Sequence, residues 1–198
     1  MGTIGAGFSM SLDGFIAGPD DDVQRLFRWM TLGHTDLNLS SGDTKFDLKV
    51  SSESAENFME AISQTGVIVS GRRMFDVAGA WGGKHPMGVP VVVVTHHIPQ
   101  EWVFEGSPFT FVTDGVENAV ETARQIAGGK NIGVGGADIT RQCLKLGVLD
   151  EIQIDLVPVL LGQGVRLFEY LEIEPIELER TSVSESPGVT HLTYRVVK

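Results

Sequence analysis

Two short, unbroken apolar runs, GVIVSG (66–71) and VPVVVVT (89–95), are bounded by turn residues. That is the pattern of strands buried on both faces. Thr3–Met10, FTFVT (109–113), NIGVGG (131–136) and DEIQIDLVPVLL (150–161) read as further strands. In the first of these, Gly5 and Gly7 allow close backbone approach. Between the strands the period lengthens to that of a helix. Glu53–Gln64 sets Ala55, Phe58, Met59 and Ile62 on one face, and Val116–Ala127 sets Val120, Ala123 and Ala127 inward before Gly128-Gly129 stops it. Shorter helices are predicted over Arg72–Ala78 and over Ile139–Leu146, the latter ending at Gly147. GQGVRLFEYL (162–171) reads as a turn and a helical segment. Residues 176–185 and 189–197 form a closing antiparallel hairpin around SPG.

Strands alternating with helices predict one α/β domain over 1–198, with helices on both faces of a mixed, mostly parallel sheet of about eight strands. The C-terminal hairpin makes the sheet mixed. Residues 22–50 have the weakest pattern. DVQRLFRWM (22–30) reads as a short helix and 31–50 as a long, partly ordered loop, so 20–50 is expected to be an insertion over an active site.

The net charge of −11 argues against a nucleic-acid or anionic-membrane partner. A bound anion therefore needs a locally basic pocket or aimed backbone amides. The first residues lack a signal-peptide pattern, no run is long enough for a membrane span, and the single Cys143 fits a reducing compartment. A cytoplasmic protein is expected. Cys143 falls on the inward side of its helix. No metal-ligand or serine-nucleophile motif occurs, and no metal is expected.

Candidate chemistry lies at strand ends. The glycines of Gly133-Val134-Gly135-Gly136-Ala137-Asp138-Ile139 join a strand to a helix. The Rossmann fingerprint fails there, because Asp138 holds the position of its third glycine and the turn comes late in the chain. A helix N-terminus able to face a phosphate remains, with a tight packing turn as the alternative. Gly71-Arg72-Arg73-Met74 puts two arginines at another strand end, where bidentate pairing suits a phosphate. Thr95, His96 and His97 end a third. Ligands of open α/β sheets bind outside such carboxyl ends, so these three ends describe a groove for an extended polyanion.

Taken in order, SLDGFIAG, VSGRRMFD, VVVVTHH, GVGGADI and DEIQIDLVPVLLGQGVRLFE resemble the dihydrofolate-reductase-like superfamily. The branch they resemble most is the reductase domain of riboflavin-biosynthesis deaminase-reductases and its stand-alone relatives. The resemblance implies a three-layer αβα fold, a homodimer, and NADPH-dependent reduction of a small heterocyclic or sugar-derived substrate, as in 5-amino-6-(5-phosphoribosylamino)uracil reduction. It implies that Gly71, Arg72, Arg73 and Met74 meet the cofactor phosphates, and that Thr95, His96 and His97 lie beside the adenosine 2′-phosphate. Gly133, Val134, Gly135, Gly136, Ala137, Asp138 and Ile139 would cradle the pyrophosphate, with the Asp138 carboxylate turned away to support the first helical turn. Ile16 and Ala17 would close over the nicotinamide.

Trp81 in GAWGGKHP is a candidate to stack on the substrate, with a loop anchor as the alternative. Asp13 is a candidate to orient substrate or donate a proton, with a turn cap as the alternative. Lys45, Lys49 and Lys84 are the cations expected near the mouth. Glu53, Glu56 and Glu60 fall on the solvated face of their helix, so no acid is expected in the substrate pocket, which weighs against dihydrofolate-reductase-type activity. A cofactor-binding protein without turnover and a structural dimer module compete with the enzyme reading.

Overall fold

The computed structural model describes residues 2–198. Its elements in chain order are β1 (Ile4–Ser11), β2 (Phe15–Ala17), α1 (Gln24–Phe27), β3 (Thr35–Ser41), β4 (Thr44–Val50), α2 (Ser52–Gln64), β5 (Thr65–Gly71) and α3 (Arg72–Val77). They continue with β6 (Val91–Val94), β7 (Phe109–Val112), α4 (Val116–Ala127), β8 (Asn131–Gly135), α5 (Ala137–Lys145), β9 (Glu151–Val157), β10 (Val165–Arg166), β11 (Leu178–Ser186) and β12 (Val189–Val196).

Eight strands form the main sheet, in the order β11-β12-β9-β1-β8-β5-β6-β7. The pairs from β9 to β7 are parallel, while β12 joins β9 and β11 joins β12 antiparallel. β5 and β6 are buried on both faces, as continuous apolar runs require: Val67, Val69, Val92 and Val93 are fully covered. The inward stripe of α4 (Val116, Ala119, Val120, Ala123, Ala127) packs with Ile139, Cys143 and Leu144 of α5 in one large core. Gly128 caps α4 at φ 58, a left-handed conformation that glycine adopts without a Cβ clash. Cys143 is buried, as its helical position predicts.

Three segments differ from expectation. Residues 35–50 are a two-stranded hairpin, β3–β4, turning at Gly42-Asp43, where Gly42 has φ 54. Alternating Leu37, Leu39, Phe46, Leu48 and Val50 carry that pattern, and Leu37 and Val50 close a small core with Leu26, Trp29, Val157 and Val189. Residues 162–171 contain no helix. Gly162 and Gly164 hold positive φ, and a Cβ at Gly164 would sit 2.0 Å from the Ala17 carbonyl oxygen. That approach lets β10 pair with β2, which is itself a short strand inside the expected 13–17 loop. Finally, α5 begins at Ala137, directly after the glycine turn.

Candidate active site

A cavity of about 1170 Å³ runs between α2 and one face of the sheet, past the carboxyl ends of β5 and β8. Its floor follows from register. Gly5 of β1 lies opposite Gly133 of β8, and Gly5, Gly7 and Ser9 stand beside Glu151, Gln153 and Asp155 of β9. Alternate residues of a strand share a face, so Gly5, Gly7, Gly133 and Gly135 withhold side chains from that face. Gly7 is solvent-exposed although its strand is central. Gly5 and Gly7 thus open space where the sequence predicts closer backbone packing.

At one end of the cavity lies the glycine turn. Gly136 holds φ 95, and α5 starts with no side chain bonding its first amides. Those amides and the helix dipole are free for an anion. Gly133 to Ile139, Gly71, Arg73, Met74, Ile16 and Ala17 all border the cavity. The wall is tight: a Cβ at Gly135 would come within 2.9 Å of Met74 Sδ, and one at Gly71 within 3.1 Å of Ile139 Cγ1. The Asp138 carboxylate accepts from Gln142 Nε2 at 2.7 Å, one turn along its own helix. Arg73 reaches Asp21 at 3.0 Å across the mouth, and Arg141 pairs with Glu169 at 3.1 Å.

Several residues expected in the groove stand elsewhere. Arg72 does not border the cavity: it bonds Asp76 at 2.7 Å and the His97 carbonyl at 2.6 Å. Thr95 is buried, bonded to the same carbonyl, and His96 and His97 are exposed outside the cavity. Arg72, Thr95 and the His97 backbone tie the β6 end to α3. Of the two roles open to it, Trp81 fits the loop anchor. It lies in a left-handed turn, Gly79–Gly83, packed against Phe75, His85 and Phe109, and its carbonyl accepts from Ser41 Oγ at 2.7 Å. The ring packs in the core and does not border the cavity, and the backbone carbonyl anchors the tip of the β3–β4 hairpin.

Asp13 takes the same turn from chemistry to structure. Its carboxylate accepts from Ser11 Oγ and from the amides of Leu161 and Gly162, at 2.6, 3.1 and 2.7 Å. The Ser11 hydroxyl, with the two amides, lowers its pKa to about 2, too acidic for a proton donor near neutrality. Asp13 clamps the β1–β2 turn to the segment after β9. Lys45, Lys49 and Lys84 do not border the cavity.

The far end of the cavity holds groups that no local motif marks. His191 of β12 is in register with Asp155 of β9, which is in register with Ser9 of β1. His191 Nδ1 meets Asp155 Oδ1 at 2.7 Å, and Nε2 meets Ser54 Oγ of α2 at 3.0 Å. Trp29 donates its indole N–H to Ser9 Oγ at 3.0 Å and stacks near Phe58, with centroids 6.1 Å apart. An acid therefore does border the pocket, supplied by a strand and not by α2. The signal was a carboxylate and an imidazole at buried positions of two strands, Asp155 in β9 and His191 in β12. Also on the cavity wall, His85 is held down to about 4 by burial, and its Nδ1 accepts from the Met87 amide at 3.2 Å.

Known proteins share this architecture. A protein of Shewanella sp. PV-4 named for riboflavin biosynthesis superposes with TM-score 0.72 at 23% identity, each chain covered completely. The Saccharomyces cerevisiae riboflavin biosynthesis reductase Rib7 gives TM-score 0.61 at 12% identity, over 99% of this chain and 90% of that one. Among curated sequences, the uncharacterized protein YyaP of Bacillus subtilis is 24% identical over 196 residues, covering 94% of this chain and 90% of its own. Residues 3–192 match the family described as the RibD C-terminal domain, and the chain belongs to that family.

Proposed function

We propose that the protein is an NADPH-dependent reductase of a small heterocyclic or sugar-derived substrate. The observation that carries this reading is the uncapped start of α5, where the Gly135-Gly136 turn opens onto a long cavity on the sheet face. Family membership supports it, since relatives in this fold include a named riboflavin biosynthesis reductase.

The residues present fit a dinucleotide. The amides of Ala137, Asp138 and Ile139 would hold the diphosphate, and the glycines at 133, 135 and 71 let Ile68, Met74 and Ile139 pack close against the backbone that shapes the turn. Ile16 and Ala17, fixed by the β2–β10 pairing, would cover the nicotinamide end. When bound, the cofactor supplies a hydride. The chain supplies orientation and a largely apolar enclosure that keeps water out.

Arg73 is the guanidinium placed to favour a 2′-phosphate, in exchange for its exposed pair with Asp21. An exposed exchange of this kind contributes on the order of 0.2–1 kcal/mol, so NADPH should bind roughly 1.4- to fivefold more tightly than NADH. Calorimetric titration of both dinucleotides tests the reading. Arg73→Ala should erase the preference and Arg72→Ala should keep it. Equal loss of both dinucleotides in Arg73→Ala would refute the assignment of the phosphate, and no binding of either to the unaltered protein would refute the reading as a whole. A homodimer in the cytoplasm is the assembly we propose for it.

A further inference from the structure

Asp155 is buried and binds His191 through Oδ1 only. Its Oδ2 makes no hydrogen bond within the protein, yet no fully covered side-chain oxygen or nitrogen among the described residues lacks a partner. Oδ2 is therefore open, and the surface that Asp155 borders is the cavity. The oxygen is also fixed in place. His191 is held from its other side by Ser54 and presents its ring edge-on to Trp29, at 5.1 Å between centroids.

Next to it in register, Ser9 accepts from the Trp29 indole and commits its own O–H to no protein acceptor. An open carboxylate oxygen and an uncommitted hydroxyl proton thus lie side by side on the sheet face. Trp29 and Phe58, stacked at 19° between planes, form an aromatic wall beside them. The arginines that border the cavity, Arg73 and Arg141, are paired with Asp21 and Glu169 near the glycine turn. Along β9 and β12 the titratable groups bordering the cavity are Glu151, Asp155 and His191, with no lysine or arginine among them.

We propose that Asp155 and Ser9 form the substrate anchor, and that it takes a flat, phosphate-free heterocycle with an N–H donor next to a carbonyl, a lactam-type edge. The N–H donates to Asp155 Oδ2, and the carbonyl accepts from the Ser9 hydroxyl. The ring lies along Trp29 and Phe58. A carboxylate excludes a phosphate from this end, and neither strand sets a lysine or arginine there to receive one. The inference rests on the reductase reading for the word substrate, but the anchor is defined by binding alone.

The test uses 5-fluorouracil, which carries lactam edges and a reporter nucleus, observed by fluorine NMR relaxation with the full chain. Two companions complete the set: 1,3-dimethyl-5-fluorouracil, which has lost both N–H donors, and 5-fluorouridine 5′-monophosphate. 5-Fluorouracil should bind. The dimethyl compound should bind about ten- to hundredfold more weakly, as expected for loss of a charge-assisted hydrogen bond, and the phosphate should bind no better than it. Asp155→Asn should weaken 5-fluorouracil at least fivefold while leaving NADPH binding within twofold, since the glycine turn is untouched. Equal binding of 5-fluorouracil and its dimethyl derivative, or no binding of either, overturns the anchor. These comparisons vary the ligand, so they stand even if the Asp155 variant fails to fold. Binding of 5-fluorouracil as described, in a protein that binds no NADPH, would keep the anchor and remove the reductase reading.

Discussion

Replacing Gly7 by alanine should stabilise the fold and weaken dinucleotide binding at the same time. A Cβ at Gly7 would meet Gln153 Cβ at 3.7 Å and its Oε1 at 3.8 Å, ordinary van der Waals contacts, and the backbone there is not in the left-handed region. Glycine inside a strand costs roughly 0.5–1 kcal/mol relative to alanine through the freedom of the unfolded chain. For a chain of this size that predicts a rise in Tm of about 1–4 °C, read by circular dichroism. The added methyl projects into the cavity from its floor. Gly7→Val adds two more carbons, and forcing them under a bound dinucleotide should cost about 1–3 kcal/mol, or roughly five- to 150-fold in NADPH affinity. Nicotinamide fluorescence titration measures it.

Gly133→Ala is the internal control. A Cβ there would fall 2.5 Å from Ile68 Cδ1, so the isoleucine must swing away and the stability gain should shrink or reverse. If Gly7→Ala melts below the parent protein, the floor is not open. If Gly7→Val binds NADPH unchanged, the dinucleotide does not lie over β1.

Cys143, buried and pushed up to about 12 by desolvation, should react with a thiol reagent only as fast as the protein unfolds; rapid native-state labelling would contradict its burial. His85 has a folded pKa near 4, against an ordinary 6.5. Its stabilising contribution is complete above 6.5 and is lost as pH falls from there towards 4, because only the unfolded chain takes up the proton. His85→Gln should flatten denaturant-measured stability across that window. Asp13 is depressed in the opposite chemical sense, as a carboxylate favoured in its charged form. Its contribution is complete above 3.8 and lost as pH falls towards about 2. Asp13→Asn should remove that part of the acid transition while leaving the affinity for NADPH within twofold.

How much of this was legible in the sequence depended on the physical reach of each signal. The parallel strands announced themselves because burial on both faces leaves continuous apolar runs, as in Val91–Val94. The β3–β4 hairpin did not, because it is a mostly exposed flap: one residue of β4, Val50, is fully buried, and the turn at Gly42-Asp43 sits among polar neighbours. The glycine turn at 133–136 was legible as a strand-to-helix turn because a local run of residues determines where the uncapped amides of α5 begin. Arg72 and Arg73 read alike in sequence. Only the direction of α3 decides that one borders the cavity and the other braces the β6 end.

The Asp155–His191–Ser54 chain shows the limit most clearly. Ser54 and His191 are 137 residues apart, and nothing local to either one predicts the other. What brings them together is the register of β12 on β9 and the packing of α2 over the same face. A single trace was present beforehand, namely a charged or ionisable residue at an inward strand position, where a polar group needs a partner to be tolerated. Gly5 and Gly7 carry the converse lesson. A glycine in a strand signals that something approaches the backbone closely, and the sequence does not say whether that is another strand or a ligand. The surroundings decide it: Ile68 leans over Gly133, whereas Gly5 and Gly7 meet only the flanks of Glu151 and Gln153 and border the cavity.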